Sequence, residues 1–407
     1  MKWRTGVVTK SYDQDGYNQG HKEGFAKGKQ DGFIRGCEDA KTIMKQSADN
    51  KIAAPLNEIS LKWRELHCAE QLSTHYGHYV DLNDHHMECL KETVKSAIWR
   101  LEINIDQQSH LLILKIFKAP IEDASLIELN MYRKVNKILF GLMPEILMVY
   151  ERVNGSDVWV FMEYVSPLKG QLIFTPDQFD NIIPALAKLH ARTYNNRFYE
   201  QWELFNDWLP LYNSEAETSE RKKTNSKTLA YLDVAMSHPE LKAKLDADYS
   251  KLQHILQRGP DYFPELLQAG KSIIHGDLQT PNMGCSNVGD AVWDIKFLDW
   301  EGARFAPCWF DMFNLVGVFF AYRKDWRKDE EAVVARCAQL YADEMSKYDI
   351  IFDGDPVRLY KMAYLQRLLE RSLYLQLDWA IGGSKQAFLL EGYLEKINVW
   401  GKQLGVY

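Results

Sequence analysis

Along this chain, apolar positions cluster into short runs that end in acidic residues at two places. Ile273-Ile274 leads into His275-Gly276-Asp277, and Phe297-Leu298 leads into Asp299. The pattern predicts two short strands, separated by one hairpin, each ending in a carboxylate. Further upstream, residues 98–103 alternate apolar and polar, 106–109 are turn-like, and Leu111 to Phe117 is almost continuously apolar. These read as a strand hairpin. Val158 to Val165 reads as another strand, running into an extended linker closed by Ser166-Pro167.

Helical spacing governs most of the remainder. It predicts helices over about 55–76, over 125–139 through Leu126, Leu129, Tyr132, Val135 and Leu139, and over 182–194. Further helical stretches are expected at about 197–210 and 229–258, and from about 327 to the end. Residues 213–228 contain almost nothing to bury and read as a mobile loop. Trp379, Trp400 and Tyr407 are candidates either for core packing or for lining a substrate pocket.

Residues 16–36 depart from both patterns. Glycine stands at Gly16, Gly20, Gly24, Gly28, Gly32 and Gly36, with Tyr17, Phe25 and Phe33 following three of them. Six glycines, at about 1 kcal/mol each relative to alanine, cost too much for a solitary helix. The segment therefore needs a packing partner or stays largely disordered, so a docking or self-association role and a flexible polar arm are both open.

Composition narrows the class. At 407 residues and 46% apolar, the chain can bury a large core and form more than one lobe. A net charge of −7 argues against nucleic acid as a partner. No run of about 18 apolar residues occurs, and the first ten residues carry no signal-peptide core, so no membrane association and a soluble, cytoplasmic protein are expected. The six cysteines form no C-x-x-C pair and suit reduced thiols. His75, His78, His85 and His86, with Cys68 and Asp84, are dense but match no closed metal-site spacing, and read as exposed polar groups on a helix and loop.

The two acidic run-ends suit phosphoryl transfer. That reaction needs a group to take a proton from the attacking hydroxyl, and divalent metal to offset phosphate charge. Asp277 can accept the proton. Asn282, five residues on, can turn its amide oxygen to a metal, and Asp299 can supply a carboxylate to the same metal.

His275-Gly276-Asp277 with Asn282, followed by Leu298-Asp299-Trp300-Glu301, resembles the aminoglycoside phosphotransferase and choline kinase group of small-molecule kinases. There HGD replaces the HRD of protein kinases, and D-W-E replaces D-F-G. The resemblance spans roughly residues 90–320. It implies an α+β, two-lobed protein-kinase-like fold: a small antiparallel sheet lobe at 55–162, a larger mainly helical lobe at 163–407, and an N-terminal glycine-repeat extension at 1–54. It also implies ATP and Mg2+ as cofactors and a small-molecule hydroxyl substrate, aminoglycoside-, choline- or sugar-like.

By that resemblance Lys115, in the middle of its apolar run, holds the nucleotide phosphates and Glu128 holds Lys115; Lys118 is the alternative lysine. The phosphate-covering turn at 92–97 has no glycine, which leaves Ser96 to serve there. Main-chain groups from Glu163 to Val165 would meet adenine. Asp311, in Pro307-Cys308-Trp309-Phe310-Asp311-Met312, would brace the catalytic loop, with His275 and Glu301 also behind the reacting groups. His190 reads as a packed core histidine. The other class in view is a catalytically idle kinase-like scaffold or spore-coat-type structural protein, docked through the glycine repeat.

Overall fold

The computed structural model describes residues 53–151 and 156–407. The glycine repeat, and the docking role expected of it, lie outside the described residues. These divide between two compact units, 53–87 with Asn104–Asp106, and Glu88–Ile103 with Gln107–Tyr407.

In the first unit, helices α1 (Ala53–Glu65) and α2 (Cys68–Tyr76) replace the single helix expected over 55–76. The break is His67, whose φ of 51° is left-handed and ends the α1 register. Ile59, Trp63, Leu66 and Leu72 are buried. Strand β1 (Val80–Glu92) then begins where helix and loop were expected, carrying His85 and His86. Beyond Val80 and Leu82 no residue of β1 is buried, so no apolar alternation betrays it.

Strands β2 (Ser96–Ile105) and β3 (Gln108–Phe117) fall where the pattern placed them. Alternate residues of β2 are buried, the signature of a strand with one face on a core. With β4 (Ile146–Glu151) and β5 (Val158–Glu163), they complete a five-stranded antiparallel sheet of order β1-β2-β3-β5-β4. Helix α3 (Asp123–Asn130) follows β3 and continues through a π turn at Met131–Val135.

Beyond β5 the second unit is mainly helical, and the chain has the α+β, two-lobed kinase-like fold with a small sheet lobe and a larger helical one. Helix α4 (Phe179–Arg192) buries Ile182, Ile183, Leu186 and Leu189. The segment read as a mobile loop, 213–228, belongs instead to helix α5 (Glu215–Met236). Ser214 caps it by accepting from Glu217 N. The buried face of its first half is polar: Arg221 lies 3.9 Å from the Tyr212 ring centroid and pairs with Asp261, while Asn225 donates to Leu256 O at 2.8 Å. Hydrogen bonds and cation–π contact do there what apolar burial does further on, so an apolar-periodicity reading starts the helix only at about 229.

Candidate active site

Two short antiparallel strand pairs carry the chemistry. Strand β6 (Lys271–Ile274) pairs with β9 (Arg304–Pro307), and β7 (Met283–Cys285) pairs with β8 (Ile295–Phe297). The chain leaves β6 into His275-Gly276-Asp277 and leaves β8 into Leu298-Asp299-Trp300-Glu301. Gly276 has φ 81°, and a Cβ there would lie 2.1 Å from Gly302 O. Glycine is required twice over, by the left-handed backbone and by the close approach. Asp299 is left-handed too, at φ 64° and ψ 71°, an uncommon conformation for a residue with a Cβ.

Hydrogen bonds fix the loop. The buried His275 bonds through Nε2 to Leu298 O at 2.7 Å and accepts at Nδ1 from Asp277 N at 3.4 Å. Asp311, wholly buried, accepts from His275 N at 2.6 Å, Gly276 N at 2.8 Å and His190 Nε2 at 3.2 Å. Burial pushes the Asp311 carboxyl up, but the bond and charge of His190, with His275 and the Gly276 N–H, outweigh it and hold it below the usual carboxylate range. His190 is itself buried, its Nδ1 2.7 Å from Tyr341 Oη.

Asp277 is exposed to the cleft. Asn282 Nδ2 donates to Asp277 O at 2.8 Å and Oδ2 at 3.0 Å, which leaves the amide oxygen of Asn282 for another partner. Leu298 N donates to Asn282 O at 2.9 Å and so ties Asn282 to the segment bearing Asp299. Gln279 Nε2 reaches both Asp277 oxygens at 3.1 Å, a contact that no motif in the sequence announced.

The sheet lobe contributes Lys115. Its Nζ lies 2.5 Å from each oxygen of Glu128 and 3.4 Å from Asp299 Oδ1, 184 residues away in sequence. Burial penalises the ammonium, yet Glu128, Asp299 and Glu301 outweigh that cost and raise the Lys115 pKa. Tyr132 Oη donates to Glu128 Oε1 at 2.5 Å and helps to hold it. Lys118 turns elsewhere, to Glu92 Oε1 at 2.8 Å and Thr93 O at 2.9 Å.

In the glycine-free turn, Thr93 Oγ1 accepts from Lys95 N at 3.2 Å and Ser96 N at 3.0 Å. The threonine thus fixes the turn through two of the turn's own amides. At the end of β5, Glu163 N donates to Glu145 O at 3.0 Å and Glu163 Oε1 accepts from Glu145 N at 2.8 Å. Glu163 N–H is therefore committed within the sheet. Val165, two residues on, has no backbone hydrogen-bond partner among the described residues.

Among the described residues one set of acidic, histidine or cysteine side chains converges closely enough for a metal: Glu128, Asp299 and Glu301, with one atom from each within 4.8 Å. Glu128 is already taken by Lys115. Asp299, Glu301 and the spare amide oxygen of Asn282 are hard oxygen donors, the kind Mg2+ prefers. The histidines between His67 and Cys89 do not gather into such a set; His78 pairs with Asp106 and His75 packs edge-on against Tyr76.

A cavity of about 290 Å3 opens beside Asp277, lined by Gln279, Asn314, Arg367, Arg371 and Trp379 among others. Trp379 is thus a pocket residue. Trp400 is instead packed on Tyr364 in the core, and Tyr407 bonds to Asn398 O. Arg367 and Arg371 were missed in the sequence; their spacing of four on one helical face was the available signal.

The sequence profile of the phosphotransferase enzyme family (APH) matches residues 106–351. No curated protein matches the chain by sequence. Among solved structures it is similar to an ethanolamine kinase of Plasmodium vivax (14% identity, 78% of this chain and 82% of that one, TM-score 0.43). It is also similar to a choline kinase of Cryptosporidium parvum (13%, 81% and 91%, 0.49). A third is an aminoglycoside phosphotransferase of Streptomyces rimosus, solved with ADP and streptomycin (16%, 69% and 91%, 0.37).

Proposed function

Because the chain belongs to the phosphotransferase enzyme family, we propose that it transfers a phosphoryl group from ATP, with Mg2+, to a hydroxyl of a small molecule. The observation that carries the reading is Lys115: one buried ammonium held by Glu128 and reaching Asp299 from the opposite lobe. A fold serving only as a scaffold gains nothing from keeping that charge buried.

Asp277 takes the proton from the attacking hydroxyl, with Gln279 and Asn282 orienting its carboxylate. Asn282 and Asp299 would hold the metal, with Glu301 beside them. Mg2+, when bound with nucleotide, offsets phosphate charge. Lys115 binds the inner phosphates and Glu128 orients it. Ser96 and the turn around it cover the phosphates. Adenine meets the linker after β5, at the Glu163 carbonyl and Val165 N–H, between lobes at 55–162 and 163–407. His275 and Asp311 hold the Asp277 loop in place without touching substrate. An ATP consumer of this kind works in the cytoplasm, where ATP is kept.

Thermal unfolding with ATP, in the presence and absence of Mg2+, tests the reading. Ligand at 100 times its Kd adds about 2.7 kcal/mol of stability. A metal-dependent rise in Tm is expected, and an unchanged Tm at millimolar Mg-ATP would contradict it.

A further inference from the structure

The cavity beside Asp277 has a charge character of its own. Among the described residues that line it, Asp277 is the one acidic side chain, and Arg367 and Arg371 supply positive charge. Arg367 is spent: it pairs with the buried Glu370, which also accepts from Tyr212 Oη at 2.6 Å and Gln366 Nε2 at 3.1 Å. Arg304, on the same side, pairs with Glu217 at 3.3 Å. Arg371 has no hydrogen bond or ion pair among the described residues and keeps solvent access. With Arg367 held by Glu370, the charges left in the wall are Asp277 and one guanidinium, Arg371, that no carboxylate pairs with among the described residues.

The unmet hydrogen-bonding capacity of the wall has the same sense. Asn314 Nδ2 and Arg367 Nε are buried donors without an acceptor, on side chains only 8% and 7% exposed. Unsatisfied buried donors call for an acceptor from outside, and an anion supplies acceptors alone. A guanidinium is the side chain best suited to bind a carboxylate or phosphate in two-point fashion. A polycation would instead bring ammonium groups against Arg371, with no acid in the lining except the base itself.

We propose that the acceptor carries a carboxylate or phosphate group, seated against Arg371 while its hydroxyl is presented to Asp277. This rests on the reading of Asp277 as the base of a kinase and specifies which hydroxyl compounds that kinase takes. Partial withdrawal from water and the nearby Arg367 charge lower the Arg371 pKa, against the pull of Asp277 and Glu370. An incoming anion relieves that repulsion. Trp379 gives the cavity an apolar wall for the remainder of the molecule.

The test uses the full chain, with binding of a non-hydrolysable Mg-ATP analogue measured first by thermal shift. Failure of that step overturns the kinase reading alone, since the acceptor titrations can be run on the free chain. Calorimetric titrations then compare glycerate, glycerol phosphate, glycerol, choline and kanamycin. At least one of the two anionic probes is expected to bind about ten-fold or more tightly than glycerol or choline. The comparison between glycerate and glycerol phosphate separates a carboxylate from a phosphate. In Arg371→Ala the preference should shrink to about two-fold, while Arg371→Lys, keeping the charge without the fork, retains part of it. The inference is overturned if choline or kanamycin binds best, if neither anion is distinguished from glycerol, or if Arg371→Ala keeps the preference.

Discussion

Gly276 and Gly302 meet backbone to backbone, so that a Cβ on the first would lie 2.1 Å from the carbonyl oxygen of the second. The loop that presents Asp277 and the turn that follows Asp299 are thereby locked as one piece. Gly276→Ala adds both this clash and a left-handed strain. It should lower stability by at least ~2 kcal/mol in urea unfolding. Gly302→Ala, whose Cβ would meet His275 O at 2.9 Å and which carries no positive φ, should cost less. Equal stability of Gly276→Ala and wild type would remove the lock.

Removing one partner of the Lys115–Glu128 pair leaves a buried charge. Glu128→Ala should therefore destabilise by about 3–5 kcal/mol. A Lys115→Met, Glu128→Leu double variant, which fills the same space with neither charge, should recover much of that stability yet bind Mg-ATP much more weakly. Calorimetry and urea unfolding on the two variants separate the structural role of the pair from its nucleotide role.

Asp311 sets an acid limit. Its pKa is depressed in the folded chain, so its contribution is complete above the ordinary aspartate value of about 4 and is lost as pH falls through the lower native value. Asp311→Asn should abolish that part of the pH dependence and lower stability at pH 7. Unfolding midpoints measured from pH 7 down to 3 check it; parallel curves for the two proteins would deny Asp311 the bracing role.

Helix α5 holds Arg221, Lys222, Lys223 and Lys227, all of them sites for trypsin. Folded, the segment should resist limited digestion. Asn225→Ala, which removes the bond to Leu256 O, should raise cleavage there. Rapid cutting of the wild-type chain at these positions would return the segment to the loop that its polarity suggested.

Where the sequence was legible, one physical rule governed each position. β2 and β3 alternate or run apolar because one face or both are buried, and Asp277 and Asp299 follow apolar runs because short strands lead to them. Lys115 could be picked out because a lysine in a buried strand needs a partner, and Glu128 is that partner. What stayed hidden was polar. β1 buries almost nothing, α5 docks through Arg221 and Asn225, and Gln279 and Arg371 act through positions that only the folded chain brings together. Apolar periodicity reports cores and is silent on hydrogen-bonded faces.

The account turns on Asp277 as the proton acceptor. Its most direct test is Mg-ATP turnover, followed as ADP release with and without a hydroxyl acceptor, in wild type and Asp277→Asn, with nucleotide binding measured in parallel. Asp277→Asn should bind Mg-ATP within about two-fold of wild type while turnover falls by about 10²- to 10⁴-fold. Turnover near the wild-type rate in a variant that binds nucleotide normally would contradict the account.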